Sequence, residues 1–167
     1  METILIYIPS NFDVIPVFCC EVFMSLKGFS FTYPSRYYTH KNHEIIFELD
    51  RIYGGKLKSL GITIYVTLKS GFWSKLKGEE NTTLVNLGEM NPKDLNAYYN
   101  SVNALLFTSL SETFGNALNE AQFKKLPILV SNMPYSREFL GEGTFTFDPY
   151  DVHDLMRKMV LLKASKV

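Results

Sequence analysis

The chain has 167 residues, of which 46% are hydrophobic and 20% are charged, as in an ordinary globular protein of about one domain. Lysine plus arginine and aspartate plus glutamate each number 17, so the formal net charge is zero. This balance excludes a global basic field that would attract nucleic acid or anionic lipid, so any phosphate binding must come from a local site.

The first segment, residues 1–27, is largely apolar, and prolines and polar residues interrupt it. Ile4–Ile8 is its one plausible strand. No lysine or arginine precedes the apolar run, so the pattern argues against both a signal peptide and a spanning helix. Cys19 and Cys20 are adjacent, which predicts no disulfide framework and fits a reducing compartment. We therefore expect a cytoplasmic protein in which residues 1–27 are an N-terminal extension or a remnant of an interdomain segment.

From residue 28 onward, strand patterns alternate with helical patterns. Several of the strand patterns are nearly continuous apolar runs, as expected of strands covered on both faces. The six predicted strands are Gly28–Tyr33, Ile62–Leu68, Thr82–Leu87, Asn103–Ser109, Pro127–Ser131 and Thr144–Phe147. This alternation predicts an α/β fold in which helices cover both faces of a parallel sheet.

Helical patterns fill most of the gaps between the strands. Apolar residues recur with the spacing of a helix face at Ile45, Leu49, Ile52 and Tyr53, and at Leu95, Tyr98, Tyr99 and Val102. Asn91-Pro92 and Asp148-Pro149 each place a cap residue before a proline at the first helical position, so the last helix is predicted from about Pro149 to Lys163. Its inward-facing residues would be Leu155, Met156, Met159 and Leu162.

Two features of the remaining segments have ordinary explanations. Lys69–Asn81 is polar and predicts a loop, in which Trp73 is expected to cover the edge of the core rather than to stack on a base. His40 and His43 have no cysteine or acidic partner at ligand spacing, so we expect polar residues at a helix start and no metal.

Ligands of an open parallel sheet bind beyond the carboxyl ends of the strands, in the turns that lead into helices. The informative turns are therefore those after Tyr33, after Leu87 and after Ser109. The first turn carries Arg36 and Lys41, two cations placed where a diphosphate could be contacted. By themselves, two cations in a turn are explained at least as well by exposure to solvent.

The turn after Ser109 contains Ser111–Glu120, in which seven residues separate two glutamates. A helix from about Gly115 to Lys124 follows, and its free amides and dipole would favour a phosphate. The eight-residue offset separates the two carboxylates by roughly 10–12 Å, which is too long for a retaining glycosidase and slightly too long for an inverting one. The spacing suits a ligand with hydroxyl groups at both ends and a phosphate between them. The alternative is that Glu120 forms a surface pair with Lys124.

From about Phe29 to Leu162 the chain resembles the C-terminal, donor-binding domain of a family 4 glycosyltransferase of GT-B architecture. The features that carry the resemblance are the turn Arg36…Lys41, the glutamates of Glu112–Glu120, the segment Leu126–Pro134, Arg137-Glu138 and Phe147-Asp148-Pro149. The resemblance implies a Rossmann-like domain at residues 28–167. It also implies retaining, metal-independent transfer from a nucleotide-diphosphate hexose, with UDP or GDP as the nucleotide and no cofactor.

The resemblance assigns a catalytic role to Glu112, Arg36 and Lys41. Glu112 would hydrogen-bond hydroxyl groups of the donor hexose, and the two cations would neutralise the departing diphosphate. Transfer of a glycosyl group needs charge stabilised on that leaving group, and fixed cations beside a helix N-terminus supply this stabilisation without a metal.

The resemblance assigns donor binding to further positions. Glu120 would bind the two ribose hydroxyls, which lie away from the reacting carbon. Backbone amides would hold the sugar and the phosphate at Phe114, Gly115 and Asn116. The turn Leu87–Met90, with Gly88 and Met90, would lie against the nucleobase.

Family members also carry an N-terminal domain that supplies the acceptor site, and 167 residues have room for only the donor half. Two alternatives stay open: a donor domain that works with a separate acceptor-domain protein, or a non-catalytic nucleotide-sugar-binding module or gene remnant. The expected partners are thus a nucleotide sugar and an acceptor-domain protein, with peripheral membrane contact only through that protein.

A flavodoxin-like or receiver domain is a further alternative for an α/β chain of this length. It would need a phosphate loop or an acidic cluster after the first strand, and Tyr33–Arg36 offers neither. The chain departs from the family pattern at two places. Leu68–Trp73 stands where family members have a glycine-rich end of the second strand, and Lys125 stands where a glycine commonly precedes Leu-Pro.

Overall fold

The computed structural model describes residues 28–76 and 83–166. Within these ranges six parallel strands form one open sheet with the order β3-β2-β1-β4-β5-β6. The strands are β1 Phe29–Tyr33, β2 Ile62–Val66, β3 Leu84–Asn86, β4 Ala104–Phe107, β5 Ile128–Ser131 and β6 Thr144–Phe147. The sheet confirms the predicted Rossmann-like α/β fold. All six predicted strands are present, five with narrower bounds and Thr144–Phe147 with the bounds predicted.

Five α-helices and two 3-10 helices connect the strands in the described ranges. The α-helices are α1 Glu44–Ser59, α2 Ser70–Leu76, α3 Pro92–Tyr98, α4 Asn116–Phe123 and α5 Val152–Ala164, and the 3-10 helices are Thr39–Lys41 and Pro134–Phe139. Every residue of β1, β4 and β5 is buried, as expected of strands that are covered on both faces.

The buried faces of the two long helices follow the sequence pattern with one exception. In α5 the four residues predicted to face inward are all buried, at Leu155, Met156, Met159 and Leu162. In α1 the residues Ile45 and Leu49 are buried, whereas Ile52 is 41% exposed. The prediction for Ile52 is therefore wrong, because the apolar stripe of α1 continues through Leu57 instead.

The predicted loop at Lys69–Asn81 is wrong for its first half, which forms helix α2. Trp73 is only 3% exposed and its ring centroid lies 5.6 Å from that of Phe47 in α1. Phe72 stacks on Tyr37 at 4.6 Å. The ring contacts of Phe72 and Trp73 thus pack α2, a short and mostly polar helix, against the rest of the domain. The expectation that Trp73 covers the core is confirmed.

The helix start signals were predicted correctly in one case and displaced in the other. Asn91 caps α3, and its side-chain oxygen accepts hydrogen bonds from the amides of Lys93 and Asp94. The predicted cap Asp148 is wrong for α5. Asp151 caps that helix instead, while the Asp148 carboxylate accepts a hydrogen bond from the Tyr150 amide and forms the turn before it.

The predicted strand Ile4–Ile8 and the pair Cys19 and Cys20 lie outside the described residues. The boundary predicted at residue 28 stays a prediction. Among the helices that the structure does describe, none has the length and apolar character needed to cross a membrane.

Candidate functional site

The order of the strands reverses between β1 and β4. The chain continues from β1 toward β2 and β3 on one side, and from β4 toward β5 and β6 on the other. The turns that leave β1 and β4 therefore diverge, and such a switch point is where open α/β sheets bind ligands. A cavity of about 620 Å³ lies between these two turns. Six of the predicted site residues line it: Arg36, Lys41, Glu112, Phe114, Gly115 and Asn116.

An ion pair joins the two sides of this crevice. Lys41 Nζ lies 2.5 Å from Glu112 Oε1, and the two side chains are only 18% and 11% exposed. The Lys41 ammonium also lies 5.6 Å from the centre of the Phe107 ring. One residue comes from the turn after β1 and the other from the loop after β4. A ligand that carries both phosphate and hydroxyl groups would therefore meet both charges at one point.

The start of α4 forms a second wall of the crevice. Gly115 precedes the helix with φ at 57°, a left-handed conformation, and no side chain from the described ranges caps the helix. A Cβ atom at this position would lie 3.1 Å from Leu118 Cδ1. The Asn119 side-chain amide donates a hydrogen bond to the Phe114 carbonyl at 3.0 Å, which holds the loop before the helix. The N-terminus of α4, without a side-chain cap from the described residues, favours an anion in the cavity.

Arg36 lies at the border between the main crevice and a smaller cavity of about 130 Å³. Its side chain is 77% exposed, and Arg36 Nε lies 3.8 Å from Glu89 Oε1. Lys69 Nζ lies 3.7 Å from the other carboxylate oxygen of Glu89. The predicted residue Met90 lines the small cavity, whereas Gly88 is buried and donates its amide hydrogen to Asn86 Oδ1 at 3.1 Å. The main crevice thus continues toward the turn after β3.

Glu120 is exposed on α4 and does not line the main crevice. Burial, and then the charge of the nearby Glu120 carboxylate, raise the pKa of Tyr99. The alternative surface partner, Lys124, donates to Asn100 Oδ1 at 3.1 Å. The ribose role of Glu120 stays a prediction.

Tyr135 does not line the crevice, but it supports the loop that leads to Glu112, and the sequence analysis missed it. It lies in the 3-10 helix after β5, and its hydroxyl donates a hydrogen bond to the Ser109 carbonyl at 2.6 Å. Burial, and then the nearby Glu112 carboxylate, raise the pKa of Tyr135. The turn after β5 also lies at the carboxyl end of the sheet, so the rule that selected the other turns could have included it.

His43 and His40 occupy different environments. The His43 ring is fully buried, with its centroid 4.8 Å from that of Tyr33 and 5.8 Å from that of Tyr37. His40 is exposed and stacks on Tyr38 at 5.6 Å. No group of three or more side chains able to hold a metal ion occurs within residues 28–76 or 83–166.

The burial of His43 predicts a loss of stability in mild acid. Burial lowers the pKa of His43 to about 4, and the Lys41 charge acts in the same direction. Because the unfolded chain takes up this proton near its ordinary pKa of about 6.5, stability is full above that pH and falls as the pH drops toward about 4. The free energy of unfolding should be about 2 kcal/mol lower at about pH 5 than at about pH 7.5 on this account.

Urea unfolding of the native chain and of His43→Phe would measure this effect, since phenylalanine suits the space between two aromatic rings. The difference between the two proteins should change with pH as stated, while a His40→Gln control follows the native chain. Parallel pH profiles for native protein and His43→Phe would contradict the assignment.

Comparisons with known proteins agree with the fold. A family model described as "Glycosyl transferases group 1" matches residues 74–166, more than half of the chain. No curated protein sequence matches the chain. Among solved structures, the catalytic domain of cholesterol-alpha-glucosyltransferase from Helicobacter pylori is 18% identical with a TM-score of 0.68, and the alignment covers 83% of this chain and 87% of that one.

Two further structures are similar. The C-terminal domain of the glycosyl transferase group 1 family protein LpcC from Francisella tularensis is 17% identical with a TM-score of 0.67, over 83% of this chain and 77% of that one. TarM is 14% identical with a TM-score of 0.69, over 81% of this chain but only 28% of its own length. At these identities the likeness shows the fold, and the chain spans little more than a quarter of TarM.

Proposed function

This chain belongs to the glycosyl transferases group 1 family, of GT-B type, and from that premise we propose that its crevice binds a nucleotide-diphosphate sugar as the donor for glycosyl transfer. The observation that carries this proposal is the pair Lys41–Glu112 at the switch point of the sheet, facing the uncapped start of α4. The donor is a UDP- or GDP-hexose. The reaction is retaining and needs neither a metal nor a cofactor.

The charges of the crevice suit a departing diphosphate. Lys41 supplies a cation that is only 18% exposed, so water screens it less than a surface lysine. The amides at the start of α4 add a second positive region on the facing wall. Fixed dipoles and charges of this kind stabilise a leaving group without reorganisation at the moment of reaction. Arg36, at the border with the smaller cavity, adds the outer cation.

The carboxylate of Glu112 suits the hexose. This carboxylate lies beside Lys41, the cation that would hold the phosphates. The hexose is bonded directly to the diphosphate, so it would lie next to Glu112. The nucleoside would extend toward the smaller cavity, where Arg36 and Met90 form part of the wall. Glu120 would bind the ribose from the exposed side of α4. Donor groups remote from the reacting carbon then contribute binding energy.

The acceptor site belongs to another protein domain in this proposal. The residues described here form one Rossmann-like unit with a single switch-point crevice. We infer that an acceptor-domain protein covers the crevice and supplies any contact with a membrane. The alternative, a non-catalytic module that holds a nucleotide sugar, uses the same crevice and differs only in lacking that partner. A cytoplasmic location stays a prediction.

Calorimetric titration with UDP, GDP, ADP and their hexose derivatives tests the proposal. We expect weak binding of at least one of these ligands at millimolar concentration, unchanged by EDTA, because the crevice supplies its own cations. If no ligand of the panel binds, the proposal is wrong. If binding disappears with EDTA, the metal-independent mechanism is wrong while donor binding stands.

The two glutamates should divide the donor between them. Glu120→Ala should weaken both the free nucleotide and the nucleotide sugar, because both contain ribose. Glu112→Ala should weaken only the sugar-bearing ligand. We expect a loss of about 1.5–3 kcal/mol in each affected case, as for a hydrogen bond to a charged group. Titration of both variants measures this, with the exposed Glu142→Ala as the control.

Equal losses for both ligands in both glutamate variants would contradict the division of roles. A loss in Glu112→Ala alone would show that Glu120 has no contact with the ribose.

A further inference from the structure

Two buried hydroxyl groups meet at the main-chain carbonyl of Lys41. The Tyr33 hydroxyl donates a hydrogen bond to the Lys41 carbonyl oxygen at 2.9 Å, and Thr108 Oγ1 donates to the same oxygen at 2.9 Å. Tyr33 ends β1, and Thr108 directly follows β4. Both residues are fully buried. The carbonyl is therefore tied to both of the strands whose turns diverge at the crevice.

The preceding residue, His40, is hydrogen-bonded to the loop that follows β4. The His40 carbonyl accepts a hydrogen bond from the Leu110 amide at 2.7 Å and another from Ser109 Oγ at 3.2 Å. The Ser109 carbonyl in turn accepts the hydrogen bond from Tyr135. The short helix Thr39–Lys41 and the loop that leads to Glu112 are thus connected through backbone groups, separately from the ion pair.

This arrangement matters because a lysine side chain has four rotatable carbon bonds and holds a position poorly by itself. Fixing its backbone at the carbonyl reduces the number of positions that the ammonium can adopt. Valine would fill nearly the volume of Thr108, and phenylalanine that of Tyr33, without a hydroxyl group. Packing alone would thus accept valine and phenylalanine at these positions. What the two hydroxyl groups add is their hydrogen bonds to the Lys41 carbonyl.

We propose that Thr108 and Tyr33 are positioning residues, which hold the Lys41 backbone so that its ammonium stays at Glu112 and at the phosphates of a bound nucleoside diphosphate. The phosphate contact rests on the proposed function, whereas the effect on the ion pair does not. Neither residue touches the ligand in this proposal.

The first test compares binding of UDP with binding of uridine, and of GDP with guanosine, by calorimetry. Thr108→Val should weaken the diphosphate about five-fold, the value of one ordinary hydrogen bond, and leave the nucleoside unchanged. Thr108→Ser keeps the hydroxyl and should restore the affinity. Thr144→Val is the matched control, because Thr144 Oγ1 donates to the Phe139 carbonyl at 2.9 Å far from the crevice.

The second test needs no ligand. A double-mutant cycle of Lys41→Met and Glu112→Gln, followed by urea unfolding, measures the coupling between the two charges. We expect this coupling to fall by more than half in a Thr108→Val background and to persist with Thr108→Ser or Thr144→Val. If Thr108→Val does not fold, Tyr33→Phe is used in its place in both tests, because it removes the other hydroxyl that donates to the Lys41 carbonyl.

Unchanged coupling in the Thr108→Val or Tyr33→Phe background would overturn the proposal, as would equal weakening of diphosphate and nucleoside. A native protein that binds no nucleotide but shows the loss of coupling would contradict the proposed function and support the positioning role.

Discussion

Purified by itself, the 167-residue chain should transfer no sugar at a detectable rate, although it folds and binds a donor. Holding two reactants together contributes effective molarities of ~10⁵ M or more in well-oriented systems. The described residues supply donor-side groups such as Lys41 and Glu112, but one side of their crevice is open. Water in an open crevice also weakens the stabilisation of the leaving diphosphate.

A radiolabelled-donor assay with lipid, sugar and peptide acceptors measures this expectation. Addition of an acceptor-domain protein should raise transfer from the background, and a Glu112→Gln variant should prevent that increase. Robust turnover by the chain alone would contradict the expectation and mean that another part of this chain, or a second copy of it, closes the crevice. If the chain binds a donor but no sugar is transferred with any acceptor, with or without the acceptor-domain protein, the non-catalytic module is favoured.

Lys41→Met should produce the largest change in both stability and binding of any single substitution in the crevice. It leaves the Glu112 carboxylate, which is 11% exposed, without its cation. Breaking a fully buried pair costs about 3–5 kcal/mol, and because water reaches this pair in part, we expect about 2 kcal/mol. The affinity for a nucleoside diphosphate should fall about 10- to 100-fold, as for loss of a charged hydrogen bond.

The double variant Lys41→Met/Glu112→Gln separates the two effects. Removing the carboxylate's charge should restore most of the stability, because no unpaired charge is left, but it should not restore binding. Lys124→Met provides the control, because Lys124 does not line the crevice and its Nζ donates a hydrogen bond to the exposed side-chain oxygen of Asn100. Unaltered affinity in Lys41→Met would show that the phosphates bind elsewhere.

The sheet could be predicted from the sequence because its strands carry an unambiguous signal. β1, β4 and β5 are buried on both faces, so their sequences are nearly continuous runs of apolar or small residues. Helix α5 was equally clear, since its buried residues keep helical spacing. The bounds were less accurate, because apolar residues such as Leu68 and Leu87 continue past the ends of β2 and β3 while remaining in the core.

Helix α2 could not be predicted because its stability comes from tertiary contacts. Ser70–Leu76 contains two aromatic residues in a polar segment, and neither shows a face by itself. Burial of Trp73 against Phe47 depends on where α1 lies. The cap of α5 was displaced for a similar reason, since Asp148 and Asp151 both offer a capping oxygen and the path of the chain after β6 selects the second.

Six of the nine predicted site residues lie at one crevice, whereas the contacts between them could not be predicted. The switch-point rule and the resemblance selected Arg36, Lys41 and Glu112, and the structure places all three at one cavity. The ion pair between Lys41 and Glu112 joins residues that are 71 positions apart, so it depends on how the two turns meet in the folded chain. Likewise, the exposure of Glu120 depends on the rotation of α4 about its axis.

Chemical-shift mapping of backbone amides by NMR, with UDP and GDP as ligands, tests the central claim most directly. Donor binding at the switch point predicts shifts concentrated at residues 35–41, 88–90 and 111–120. It predicts none at the other large cavity, of about 640 Å³, which lies at the amino ends of β5 and β6 beside Ile128 and Thr144. Shifts confined to that opposite cavity, or no shifts with either nucleotide at millimolar concentration, would contradict donor binding at the β1–β4 switch point.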